Sequence, residues 1–415
     1  MKHPLMSDNI SKEDLNVLVD FLSQDPQPIL TNNKRVRQFE DEWGSWLGTP
    51  NNLMVNSGSS ANQITFLALK QMLPGGAEVI VPPITWISDI SAVLQNGFTP
   101  VFCDINPKTL AIDEDRLLDK ITRKTKVVFL THVLGYNGLT DNILKICKDN
   151  DLILVEDVCE SHGATFKGQK VGTFGDISNF SFYYAHHMTS IEGGMVSTTN
   201  PEIYQLCRMF RSHGMLREAT DDTLKQEYID EYPDLNSDFI FTEAAYNFRS
   251  TEINAVLASN QLKRLDQNNK LRNENYYAFM NNLDSEKFRT DLNHEGNSNY
   301  AFTPILNEPD FTLRDKIEER LNKYDIEFRR GLSGGGSQIR QPYIEKYVKN
   351  FKRHLALNIA SMMQGYSDQK YELSSSRVDK KNNIILIDME IFSETGSVVV
   401  TWRVKESKGR YFVID

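Results

Sequence analysis

An α/β domain with a mainly parallel sheet, followed by a smaller C-terminal α+β domain and an appended β-meander tail, is the fold class this sequence predicts. Three observations carry it. Short continuous apolar runs such as Val127–Thr131 and Leu152–Val155 have the pattern of strands buried on both faces. Stretches of helical period lie between such runs, the order of a parallel sheet with crossover helices. Polar residues fall just beyond the apolar runs: Ser57-Gly58, Trp86, His132 and Glu156-Asp157. Ligands of open α/β sheets sit beyond the carboxyl ends of strands.

Taken in order, Asn52–Asn56 is a short apolar run, and Ser59 to Leu73 then reads as helix. Glu78–Val81 reads as strand, stopped by Pro82-Pro83. Ile90–Gln95 follows as helix and Thr99–Cys103 as strand, and Asn142–Asp149 is the helix between the two buried runs. Residues 215–240 are acidic and read as a surface loop, and one long helix is expected from Ser250 to Asn268 or beyond. Residues 298–330 mix strand and helix, as a second domain would. Gly334-Gly335-Gly336 must be a loop. Three further strands, Asn383–Ile391, Ser397–Val404 and Tyr411–Ile414, joined by turns at Glu394–Gly396 and Glu406–Gly409, alternate like a half-exposed antiparallel sheet. The expected division is a large domain over 1–245, an incomplete small domain over 246–345 and an atypical segment over 346–415.

Of the 415 residues 40% are hydrophobic and 25% charged, the balance of a soluble globular protein of two or three domains. A net charge of -10 argues against a general nucleic-acid binder, which carries a basic surface. Cys103, Cys147, Cys159 and Cys207 are scattered without a CxxC pair, so buried thiols are expected and not a disulfide framework or a zinc site. The start of the chain is polar, without the apolar core of a signal peptide. No stretch reaches the roughly 20 apolar residues that span a bilayer. A cytoplasmic protein without membrane partners is the expectation.

Gly58-Ser59-Ser60 at a strand-to-helix junction suits a phosphate, because the helix N-terminus offers free N–H groups and Gly allows close approach. Serine there is also an ordinary helix cap. Glu156-Asp157 closes a buried strand; it either faces a cationic ligand group, such as a protonated ring nitrogen, or forms a structural ion pair. The segment Ser181 to Gly194 passes from an aromatic strand into a polar loop that holds His186-His187. Adjacent histidines on extended backbone point to opposite faces, so a packed or hydrogen-bonded pair is favoured over a metal site.

With these residues on the page, the chain resembles the DegT/DnrJ/EryC1/StrS sugar aminotransferase family, of the aspartate-aminotransferase fold (fold type I). Ser181-Phe182 and Glu192-Gly193-Gly194 match a family segment that carries a lysine at the position of His186. Asn56-Ser57-Gly58-Ser59, Pro83-Ile84-Thr85-Trp86, Arg211-Ser212-His213-Gly214 and Tyr246-Asn247-Phe248-Arg249 match in order, and the resemblance covers roughly residues 8–345. It implies pyridoxal 5'-phosphate or pyridoxamine 5'-phosphate as cofactor. Gly58, Ser59 and Ser181 would hold its phosphate, Trp86 would stack on the ring and Asp157 would bind the ring nitrogen. Asn247 would reach across from a second subunit, which implies a homodimer.

An imidazole cannot form the covalent bond to the cofactor that lysine forms, but it can act as a base. The His-bearing branches of the family remove the C3 hydroxyl of a nucleotide-linked 4-keto-6-deoxyhexose, with His186 the catalytic residue. One branch holds a [2Fe–2S] cluster on closely spaced cysteines, which this chain lacks. His186-His187-Met188, Ile191 to Ser197, Glu327 to Gly331 and Gln341-Pro342-Tyr343 resemble the cluster-free branch, which acts on GDP-4-keto-6-deoxymannose with glutamate as amino donor in deoxysugar and O-antigen synthesis. The alternatives are a 4-aminotransferase that tolerates histidine, or an inactive scaffold or lipid-binding protein. From Tyr347 to Asp415 the chain instead resembles the MlaC phospholipid-carrier family, at Val398–Arg403 and Gly409–Asp415, as a fused or chimeric segment would.

Overall fold

Seven strands make the central sheet of the chain: β1 (Asn51–Val55), β2 (Glu78–Val81), β3 (Thr99–Phe102), β4 (Thr125–Thr131), β5 (Ile153–Asp157), β8 (Ile177–Ser181) and β9 (Gly194–Thr198), in the order β1-β9-β8-β5-β4-β2-β3. The computed structural model describes residues 3–6 and 9–329 in full, and strands at 370–379, 384–393, 396–407 and 410–413 by their backbone. The chain divides into two units, Met1–Ile339 and Arg340–Asp415, each described by itself. Within the sheet β3, β2, β4, β5 and β8 pair parallel, and β9 runs antiparallel to both β8 and β1. The sheet is therefore mainly parallel, as its continuous apolar runs imply. A short hairpin of β6 (Thr165–Phe166) and β7 (Gln169–Lys170) lies outside it.

Strand residues alternate between two cores because successive side chains leave opposite faces. Leu53, Val55, Val127 and Phe129 join the core under α3 (Gly58–Met72), α4 (Ile87–Gln95) and α7 (Pro201–Arg211). Met54, Val128, Leu130 and Leu154 join the core under α2 (Lys34–Leu47), α6 (Asp141–Asp149) and α9 (Glu252–Leu262). Cys147 sits in this second core with Cys103, and Cys207 in the first, so three of the four thiols are buried as expected, while Cys159 is half-buried. The layers are completed by α1 (Lys12–Leu22), α5 (Glu114–Lys120), α8 (Asp222–Glu231), α10 (Leu265–Met280) and α11 (Phe311–Lys323). Among the described residues no helix is long and apolar enough to cross a membrane.

Side chains from distant sequence close several helix ends. Asn33 gives α2 no side-chain cap; instead the Glu252 carboxylate accepts from the N–H groups of Asn33, Arg35 and Val36 at 2.8–2.9 Å. That single carboxylate ties the start of α9 to the start of α2 and faces its positive end. Buried Asp14 on α1 accepts from Asn260, Gln261 and both terminal nitrogens of Arg264 at 2.5–2.8 Å.

Three expectations change. Residues 222–231 are not loop but the helix α8, capped by Asp221, whose side chains are all at least partly exposed. The helix expected from Ser250 onward is two helices, α9 and α10, broken at Lys263-Arg264. Residues 298–329 contain α11 but no strand; extended pairing there is limited to isolated bridges such as Phe288 with Leu306. In the second unit the three expected strands are present as β11 (Ile384–Ser393), β12 (Gly396–Ser407) and β13 (Arg410–Val413), and β10 (Lys370–Asp379) adds a fourth in an antiparallel meander. Gly334–Gly336, the Gln341-Pro342-Tyr343 match and the boundary at Tyr347 lie outside the described residues.

Burial alone would raise the Asp14 carboxyl, but the bonds from Arg264, the Ser11 backbone and Asn260 outweigh it and hold it at about 2, against an ordinary 3.8. A carboxyl depressed by folding stabilises fully above its unfolded value and loses that contribution as pH falls toward its folded value. Asp14→Asn is therefore expected to cost roughly 2 kcal/mol at pH 7. Urea unfolding should show the difference constant down to about pH 4 and shrinking from there toward about pH 2.

Candidate active site

The polar residues at the strand ends gather where α3 begins. From β1 the chain passes Asn56 and turns into α3 at Ser57, whose side chain accepts from the Ser60 N–H at 3.1 Å. Gly58 is buried; a Cβ there would lie 2.6 Å from Cβ of Ser181, the last residue of β8. Gly194, which opens β9, is equally confined, since a Cβ would lie 2.3 Å from the Ser57 carbonyl oxygen. The first turn of α3 and the facing ends of β8 and β9 thus meet almost backbone to backbone. Ser59 is exposed on that turn, and the Ser181 hydroxyl accepts from the Tyr183 N–H at 3.3 Å. Free N–H groups, two hydroxyls and the positive end of α3 form a cradle for an anion.

The two carboxylates at the end of β5 have separate roles. Glu156 is fully buried and accepts from the N–H groups of Gly172, Phe174 and Gly175 at 2.7–3.0 Å and from His132 Nε2 at 3.0 Å. The Gly138 N–H donates to His132 Nδ1 at 3.0 Å, which places the imidazole proton on Nε2. Burial pushes Glu156 up, and the His132 and backbone bonds hold it below its ordinary value all the same. Glu156 and His132 are structural, although His132 stands at a strand end. Asp157 instead accepts from the Cys159 N–H at 2.9 Å and from the Asn62 side chain of α3 at 3.2 Å. Trp86 stands at the start of α4 and is 46% exposed, an aromatic side chain unusually open to solvent at a strand end.

His186 lies on the loop between β8 and β9. The neck of this loop is closed by Phe182 N–H to Gly193 O at 2.8 Å and Ser190 N–H to Phe182 O at 2.9 Å. Ile191, a β-branched residue at φ +73°, marks strain near its end. The His186 ring sits among Tyr300, Tyr183 and His162, with centroids 5.5–6.0 Å away, and its Nδ1 is buried without a partner. Burial, and then the Arg272 cation, pull its proton affinity down to about 3. His187 is buried, donates to the Ser298 carbonyl at 2.9 Å and packs on His162 at 5.4 Å. The histidine pair is thus packed, with His187 hydrogen-bonded and His186 held by ring contacts, and both rings are neutral near pH 7.

Of the seven residues singled out from sequence, Gly58 and Ser181 are in contact, and Asp157 is bonded to the α3 that carries Ser59. Trp86 opens α4, and His186 follows Ser181 on one loop. Asn247 is exposed in a segment that runs beside the end of β1, and its side-chain oxygen accepts from Arg249 Nε at 3.0 Å. Arg211, part of a matching motif, is buried against Glu40 at 2.6 Å and braces β1 through the Met54 carbonyl. Sequence reading missed Asn62, Asp89, Arg272 and Tyr300. An acid in the short apolar helix Ile87–Gln95 was a usable signal for Asp89; Arg272 and Tyr300 reach His186 from distant segments without any local mark.

A buried anion, an exposed indole and a helix-terminus cradle from which Gly58 must exclude a Cβ fit a flat, cationic, phosphorylated ring such as that of pyridoxal phosphate. The profile of the DegT/DnrJ/EryC1/StrS aminotransferase family matches residues 9–360, and that of the MlaC protein matches residues 313–415. The GDP-4-keto-6-deoxy-D-mannose 3-dehydratase of Yersinia pseudotuberculosis is 31% identical over 338 residues, 80% of this chain and 84% of that protein. The Escherichia coli GDP-4-keto-6-deoxy-D-mannose-3-dehydratase with bound hydrated PLP superposes with a TM-score of 0.72 at 30% identity, covering 80% of this chain and 86% of that one. A GDP-4-keto-6-deoxymannose-3-dehydratase with a trapped PLP-glutamate geminal diamine gives 0.70 at 29%, covering 80% and 86%.

Gly194→Ala tests the cradle. The added methyl would press on a carbonyl oxygen that cannot turn away without moving α3. The expected result is a loss of about 1–3 kcal/mol in urea unfolding, with pyridoxal phosphate binding weakened at least tenfold in the molecules that remain folded.

Proposed function

The chain belongs to the DegT/DnrJ/EryC1/StrS aminotransferase family, and on that premise we propose that it is a pyridoxal phosphate-dependent C3 dehydratase of a nucleotide-linked 4-keto-6-deoxyhexose, with GDP-4-keto-6-deoxymannose the favoured substrate. In balance, glutamate supplies two electrons and becomes 2-oxoglutarate. The sugar loses its C3 oxygen, and the nitrogen leaves as ammonia. The observation that carries the reading is a neutral imidazole, His186, at the position where an amino-transferring relative needs a primary amine.

When bound in its amine form, the cofactor supplies the amino group that condenses with the C4 ketone and a ring that takes up an electron pair. Gly58, Ser59 and Ser181 would hold the phosphate, and Trp86 would stack on the ring. Asp157, whose two oxygens are met by Cys159 N–H and Asn62, would accept a hydrogen bond from a protonated ring nitrogen. His186 is unprotonated at neutral pH, so its lone pair is free to accept a proton from the carbon that bears the cofactor's amino group. Lacking an amine at residue 186, the site cannot hold the cofactor covalently there, nor readily return a proton to C4 of the sugar.

In this reading residues 1–245 are the cofactor-binding domain, 246–345 an incomplete small domain, and Asn247 serves the site of a second copy in a homodimer. Residues 346–415 are a fused segment with no part in the chemistry. The protein works in the cytoplasm, in deoxysugar synthesis for lipopolysaccharide.

Incubation with GDP-4-keto-6-deoxymannose, pyridoxal phosphate and glutamate should release ammonia and a 3-deoxy ketone in equal amounts. An amino sugar would establish the aminotransferase instead, and no turnover with cofactor bound would establish an inactive scaffold. Borohydride treatment followed by mass spectrometry should leave the parent chain without a cofactor adduct. His186→Lys should gain one at residue 186, with ammonia release reduced at least tenfold. Adduct formation in the parent, or unaltered ammonia release in the variant, would remove His186 from its role.

A further inference from the structure

Behind Asp157 lies a second carboxyl. Asp89 is in the first turn of α4, three residues after Trp86, and has no solvent exposure. The Asn62 side-chain nitrogen, also fully buried, donates to Asp89 Oδ1 at 2.7 Å and reaches Asp157 Oδ2 at 3.2 Å. On the far side of Asp89 three oxygens meet. Thr131 Oγ1 is 3.0 Å from Asp89 Oδ2, Thr85 Oγ1 touches the same oxygen, and the two threonine oxygens are 2.7 Å apart.

Two adjacent buried carboxyls cannot both ionise cheaply, so one carries a proton. The partners decide which. Asp157 is met by a backbone N–H and a side-chain amide nitrogen, groups that only donate and so favour its anion. Asp89 shares the Asn62 donor on Oδ1, but its Oδ2 is met by two hydroxyls, which can also accept. Their ring of three contacts has only two hydroxyl protons to fill it, and a proton on Asp89 completes it. The titratable groups that face Asp89 are Asp157 and, close by, Cys159. Burial and then the charge of Asp157 push Asp89 well above its ordinary value, and burial with both carboxyls pushes the Cys159 thiol up as well.

We propose that Asp89 is a neutral positioning acid that, through Asn62, holds Asp157 in place as the single buried anion opposite the cofactor's ring nitrogen. The role rests on the proposed cofactor reading, in which Asp157 binds that nitrogen. Asp89 touches neither cofactor nor substrate. It fixes how many charges face the ring: one anion matches one pyridinium proton, whereas two would draw a second proton into the site.

Asp89→Asn replaces a neutral acid with a neutral amide of the same shape, and Asp89→Ala removes the support. In the protein without cofactor, the infrared carbonyl band of a protonated buried carboxyl should be present at pH 7 and absent from Asp89→Asn. With pyridoxal phosphate added, Asp89→Asn should bind within about threefold of the parent, with the same pH dependence of the bound cofactor's absorbance. Asp89→Ala should bind at least tenfold more weakly and lose the ring-nitrogen proton at least one pH unit earlier. Asp157→Asn should do the same or more. A purely structural Asp89 would lower the unfolding midpoint without moving that absorbance titration, and this result would overturn the proposal. So would a missing carbonyl band, or an Asp89→Asn titration displaced as far as that of Asp157→Asn. If the parent itself fails to bind pyridoxal phosphate, the cofactor reading falls and the role of Asp89 with it. If the parent binds, and only Asp157→Asn alters the spectrum, the cofactor reading stands and the Asp89 proposal alone is lost.

Discussion

The site depends on one contact: the first turn of α3 lies against the ends of β8 and β9 with no room for a side chain between them. At this contact an added carbon on Gly58 would run into the Ser181 side chain, and one on Gly194 into the Ser57 backbone. Because the gap is closed, the N–H groups at the start of α3 and the Ser181 hydroxyl share one small volume. The loop to His186 leaves from the same point. The antiparallel direction of β9 within an otherwise parallel sheet is part of this constraint. It returns the loop's far end to the strand beside the one it left, so the loop is short and closed at both ends.

Around that contact the charges are sorted by what surrounds them. Glu156, surrounded by donors and turned into the core, is spent on holding the loop after β7 in place. Asp157, one residue on, leaves the opposite face of the strand toward Asn62 of α3, because strand side chains alternate. The histidines are kept neutral by burial and by the nearby Arg272 cation, which leaves the reacting position without charge of its own before anything binds.

Much of this was legible in the chain, and the reasons for the failures are physical. Ser57 to Ser60 and Asp157 were found because strand ends in α/β sheets carry ligands, and His186 because its surroundings kept a pattern that the residue itself broke. The helix at 222–231 was missed because it buries no side chain fully and so shows no clear apolar stripe. The break between α9 and α10 falls at Lys263-Arg264, good helix formers that give no stop signal. The strand Lys370–Asp379 was missed because its register shifts between Leu373 and Ser375, and a bulge disrupts the two-residue alternation by which strands are recognised. Asp89, Arg272 and Tyr300 matter through partners far away in sequence, which local pattern cannot report.

The closed neck of the His186 loop bears on descent. Phe182, Ser190 and Gly193 secure the segment by main-chain bonds that do not depend on which side chain sits at residue 186. A lineage can therefore exchange the reacting group there without rebuilding the scaffold. For a laboratory library the corollary is that diversity belongs at residues 183–188, and that Gly58, Gly194 and the strands beside them should be left alone.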